Sequence, residues 1–216
     1  MIRTRFDSVC KNLIMEMADN LGFQPIPQFN IDPQKRVEQS LGFVGTRSRH
    51  NESVDVVWNF KLASYGTTFL ANEVFANAVV AWEVDSSSNP HKSIKSSIDN
   101  LDGLNPRLGV ELLLIGTTLK SIKGFEKKFN YAVDVSRHKK SRIIVIHDVF
   151  FAMLYNSILG RHPEELYEVY INACKTNKQV ANALKKKVED LLKTSKVEDL
   201  DFKKELEEKL IDRLQG

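Results

Sequence analysis

Cysteine is almost missing from this chain. Cys10 and Cys174 are the only two among 216 residues, and their separation is not that of a metal-ligating pair. Two isolated thiols read as buried side chains in a reducing compartment, not as a disulfide framework. No stretch approaches the roughly 20 apolar residues needed to span a bilayer, and MIRTRFDSVCKN holds no apolar run of signal-peptide length. The expectation is a cytoplasmic protein with no membrane partner. Loops of the GxxxxGK[ST] type are absent, which argues against a P-loop nucleotide hydrolase. Internal repeats and low-complexity segments are also absent. Strong charge of either sign is lacking: the net charge is +3, too little to argue a polyanionic partner by itself.

What is present is a globular composition, 42% hydrophobic and 27% charged. The length suits one domain plus an appendage. Phe6, Val9, Cys10, Leu13, Ile14, Met17 and Leu21 recur at helical spacing before Gly22, so a first helix is expected. QPIPQFNID is extended and limited by its prolines, and GTRSRHNES is a polar, basic loop. VDVVWNF (54–60), AVVAWEV (78–84), GVELLLIG (109–116) and RIIVIHD (142–148) carry strand composition. Asn89 and Pro90 cap a helix whose buried stripe is Ile94, Ile98 and Leu101. KSIKGFEKKFNYAVDVSR reads as another helix, and VFFAMLYNSIL as a buried one. After Gly160 three amphipathic stripes follow: Leu166/Val169/Tyr170/Ala173, Val180/Leu184/Val188/Leu191 and Leu206/Leu210/Leu214. The order implies an α/β fold with a central mixed sheet flanked by helices over residues 1–160 and a C-terminal helical extension over 161–216. The extension is expected to pack on the core or on a second copy of the chain.

One stretch calls for a chemical explanation. In WEVDSSSNPHK, Glu83 and Asp85 end an apolar strand two residues apart, so both project from the same face. Two adjacent carboxylates repel unless a cation lies between them or one is protonated. A strand bearing Asp55, a strand bearing Glu83-x-Asp85, then a helix and an apolar strand resembles the PD-(D/E)XK nuclease superfamily, the restriction-endonuclease-like fold. The resemblance covers the element order of about residues 5–120. It matches the family's first acid to Asp55 in SVDVVW and its second to Glu83 in AWEVD. Glu16 on the first helix matches an acid that some members carry.

The resemblance implies a Mg²⁺-dependent DNA endonuclease, with Mn²⁺ able to substitute. Asp55, Glu83 and Asp85 would be metal ligands, with Glu16 as a further candidate. Mg²⁺ prefers oxygen donors and keeps several waters, so one or two carboxylates and a phosphate oxygen suffice to hold it. It lowers the pKa of a bound water and offsets charge developing on phosphorus. One departure matters: the family lysine two residues after the second acid is here Asp85. Lys92 and Lys95, at the start of the next helix, are candidates for the displaced positive charge, and Lys95 borders the buried stripe. Two basic clusters would meet a phosphate backbone: Arg47, Arg49 and His50, and Arg137, His138, Lys139, Lys140 and Arg142. His147-Asp148 reads as structural, since no Ser or Cys nucleophile motif accompanies it. The alternative function is a catalytically inactive member of the same fold that binds nucleic acid or protein. In that case Asp55 and Glu83 are polar strand ends, and the lysines are solvated.

Overall fold

The computed structural model describes residues 2–30, 53–60, 78–86 and 90–194. Helical apolar spacing produces α1 (Ile2–Asn20). It buries Phe6, Cys10, Leu13, Ile14 and Met17, while Leu21, expected on the same stripe, lies exposed beyond the helix end. Gly22 then turns the chain at φ +80°, a left-handed conformation that glycine adopts at less cost than residues with a Cβ. β1 (Phe23–Asn30) follows as an edge strand. Its Pro25 and Pro27 explain the position, because proline has no N–H for a second ladder.

The remaining strands are β2 (Ser53–Phe60), β3 (Val80–Asp85), β4 (Leu108–Leu113) and β5 (Ile143–His147). They lie in the order β1-β2-β3-β4-β5. The first three pair antiparallel and the last three parallel. Parallel neighbours require crossovers, supplied by α2 (Pro90–Leu104) and α3 (Leu119–Arg137). The protein is therefore α/β, a mixed five-stranded sheet flanked by helices.

Two faces are buried differently. Val56, Trp58, Trp82 and Val84 share a core with α1, and the Trp58 and Trp82 ring centroids are 5.2 Å apart. The other face of β3 meets α2, whose Ile94, Ile98 and Leu101 are fully buried. Burying each such side chain contributes roughly 1.5–3 kcal/mol. This face is also the one that carries the acids.

Three further helices close the first face: α4 (Asp148–Leu159), α5 (Glu164–Lys175) and α6 (Lys178–Thr194). His147 caps α4 by accepting a hydrogen bond from the Phe150 amide at 3.2 Å, and burial lowers its pKa to about 4. The structural reading of His147 follows from that geometry. Asp148 is buried and anchors the helical extension: its Oδ2 accepts from the Ile115 amide at 2.9 Å and from the Tyr170 hydroxyl. Burial nevertheless raises its pKa to about 6. Tyr170 also meets Phe6 edge-on at 5.1 Å. Leu166, Tyr167, Tyr170, Val180, Leu184, Val188 and Leu192 join the same core as the sheet. The helical extension thus packs on the core through Thr194, and the Leu206/Leu210/Leu214 stripe lies outside the described residues. Among the described residues no helix is long and apolar enough to cross a membrane.

Candidate functional site

The β2–β3 ladder runs from Trp58 opposite Val80 to Val56 opposite Trp82. One step further, antiparallel register sets Asp55 against Glu83 on the α2 side of the sheet. The strands stay joined there through a side chain: the Val84 amide donates to Asp55 Oδ2 at 3.0 Å. The two acids inferred from the sequence are thus neighbours, near enough for the charge of Asp55 to act on Glu83. Burial and then that charge push the pKa of Glu83 well above the usual carboxylate range. Asn100, from α2, opposes this by donating to Glu83 Oε1 at 3.1 Å.

A third strand contributes an acid that was read only as part of an apolar run. Glu111 lies beside Glu83 in the parallel β3–β4 register. It is fully buried, and neither of its carboxylate oxygens meets a hydrogen-bond donor. Burial, then the charges of Asp85, Glu83 and Asp55, raise its pKa well above the usual range. Asp85 is buried at the end of β3, on the same face as Glu83. The signal in the sequence was a lone Glu within GVELLLIG, since Glu is seldom fully buried without a reason.

Helix α1 brings two more charges to the cluster. Asp7 and Lys11 are i, i+4 neighbours on one flank of its apolar stripe. Lys11 Nζ lies 2.5 Å from Asp55 Oδ1, with both side chains partly exposed. Asp7 hydrogen-bonds Ser86 just beyond β3. Its pKa is raised by burial, lowered by Ser86 and Lys11, and raised by Asp55 and Asp85. Five acids, Asp7, Asp55, Glu83, Asp85 and Glu111, therefore act on one another, with Lys11 a cation among them.

Glu16, the expected helix acid, lies more than two turns beyond Asp7. It accepts from Tyr155 Oη at 2.6 Å and pairs with Arg161, and none of its contacts reaches the cluster. Lys95 is exposed on α2, and Asn100 of the same helix is the residue that touches an acid. Lys92 lies in the first turn of α2, with its side chain outside the described part. Arg47, Arg49 and His50 lie outside the described residues. The Arg137–Arg142 cluster precedes β5 at the level where Gly109 pairs Ile143. Asp85 pairs Leu113, four residues further along the sheet, or about 13 Å away at the usual rise per residue. Lys139 is paired with Asp99, and Asp102 accepts from the Lys140 and Ser141 amides at 3.1 and 2.9 Å. That cluster is tied to the end of α2 and does not flank the acids.

No family model matches this chain, and neither a curated protein nor a solved structure matches it. The site therefore has to be judged on its own chemistry. Among the described residues no three His, Cys, Asp or Glu side chains are gathered closely enough to hold a metal ion as they stand. Lys11 pairs with one oxygen of Asp55, and Asn100 donates to one of Glu83. The donor set itself fits a hard divalent cation. Its donors among the described residues are carboxylate oxygens, the type such an ion prefers, and Glu111 keeps both of its oxygens without a donor.

Proposed function

We propose that this protein is a Mg²⁺-dependent DNA endonuclease that hydrolyses phosphodiesters on a restriction-endonuclease-like core. The observation that supports it most is the meeting of Asp55 and Glu83 from neighbouring strands. The helix–three antiparallel strands–helix–strand order suits the same reading. Asp55 and Glu83 would hold the metal, with Asp85 and Glu111 within the same field of negative charge. When bound, Mg²⁺ supplies an activated water and offsets charge on the phosphate. The protein's part is orientation. The Val84 amide fixes one oxygen of Asp55, and Asn100 turns Glu83. Such groups beyond the ligands set carboxylate direction and basicity.

A second reading, an inactive binding protein on the same fold, is favoured by two observations. Asp85 stands where the resemblance expects a lysine, and Lys11 already neutralises Asp55. Calorimetric titration of Mn²⁺ into the protein, with and without duplex DNA, separates the two. The endonuclease reading expects saturable divalent binding that is lost in Glu83→Gln. DNA binding with no divalent binding would favour the inactive protein instead.

A further inference from the structure

We propose that Lys11 is a resident counter-cation of the acid cluster, which competes with the divalent ion for Asp55 and thereby sets the affinity of the site for metal. The inference rests on the metal-site reading above and adds to it a residue that no resemblance supplies. Three observations carry it. Lys11 Nζ sits 2.5 Å from Asp55 Oδ1, the oxygen left over once the Val84 amide has taken Oδ2. A metal ligated by Asp55 would meet the ammonium on the same carboxylate, where the two cations repel each other. Glu111, 0% exposed with both oxygens lacking a donor, sits in register beside Glu83, so the cluster holds a carboxyl that Lys11 does not satisfy. Lys11 is also able to leave: its side chain is 27% exposed on a helix flank, and a lysine stem carries its ammonium readily into water. A divalent ion brings twice the charge of an ammonium to the same oxygens, so it displaces the lysine once its own hydration is offset.

Lys11 therefore stabilises the metal-free protein and weakens metal binding, two effects of opposite sign from one contact. Lys11→Met keeps the apolar stem and removes the charge. In EDTA this variant should melt below the wild type. Its Mn²⁺ affinity by calorimetry should be roughly five- to tenfold tighter, and saturating Mn²⁺ should raise its melting temperature by more than it raises the wild type's. Lys11→Arg keeps the charge and should bind Mn²⁺ as the wild type does. Should Lys11→Met fail to fold, the wild type still decides. After reductive ¹³C-methylation, the Lys11 resonance, identified by its loss in Lys11→Arg, should shift with Mg²⁺ along the binding isotherm. Unchanged or weaker Mn²⁺ binding by Lys11→Met, or an unmoved Lys11 resonance while the wild type binds metal, overturns the competition and leaves the metal site standing. If neither wild type nor variant binds a divalent ion, the metal site itself fails, and the competition fails with it.

Discussion

Replacing Glu111 by Gln probes the most costly group in the sheet. The wild-type carboxyl is fully buried beside three other acids and has no donor for either oxygen. Burial, then the charges of those acids, raise its pKa well above the usual carboxylate range, so the fold holds the proton more tightly than the unfolded chain does. Holding that proton above the unfolded pKa costs stability, and the cost grows with pH. Gln has the same shape and no proton to hold. Its amide and the neutral acid are both buried without partners, so that part of the cost largely cancels. The variant should gain about 1–3 kcal/mol in EDTA, a rise in melting temperature of roughly 3–10 °C for a chain of this length. The sign with pH follows from linkage. A raised acid leaves stability intact below its unfolded pKa and erodes it as pH climbs toward the folded value. The advantage of Glu111→Gln should therefore be near zero at pH 4 and clearly larger at pH 7. Melts followed by circular dichroism at both pH values decide it. A variant that melts at or below the wild type at pH 7, or a difference independent of pH, would refute the reasoning.

Two further outcomes follow from contacts elsewhere. Tyr170→Phe removes the hydroxyl that donates to buried Asp148, so stability should fall by about 1–3 kcal/mol. Because that hydroxyl favours the ionised carboxylate and so lowers its pKa, the loss should be larger at pH 8 than at pH 5, on either side of the wild-type value of about 6; equal losses would contradict the assignment. Lys95→Ala changes an exposed side chain and should leave stability within about 0.5 kcal/mol and cleavage unaltered, whereas a tenfold fall in rate would return Lys95 to the site.

The strands were legible because apolar β-branched runs have few other uses. VDVVWNF and AVVAWEV became β2 and β3 within two residues of their expected limits. Asp55 and Glu83 were legible as a pair only through element order, and the register that joins them is a long-range property. Glu111 was hidden because five of its neighbours in GVELLLIG are apolar, so the segment was read for burial alone. Lys11 and Asp7 were hidden differently: α1 was recognised by its buried stripe, and its flanks acquire meaning only once the sheet is placed beside them. Glu16 showed the converse error. Sequence put it on the rim of the right helix, but helical rise carries it past the acids toward Tyr155 and Arg161. Among the described residues the cation beside Asp55 is Lys11 of α1, whereas Lys95, close in sequence to Glu83, is exposed.

Plasmid nicking tests the central claim most directly. Supercoiled DNA is incubated with wild type, Asp55→Asn and Glu83→Gln at a range of Mg²⁺ concentrations, alongside melts of the same samples in EDTA. The account predicts Mg²⁺-dependent nicking by the wild type and a loss of orders of magnitude in both variants. Glu83→Gln should melt at or above wild type, as repulsion between the paired carboxylates is relieved, and Asp55→Asn should stay within about 1 kcal/mol of it, that relief being offset by loss of the Lys11 ion pair. A wild-type protein that cuts no DNA with Mg²⁺ or Mn²⁺, or variants that cut as well as it does, would contradict it.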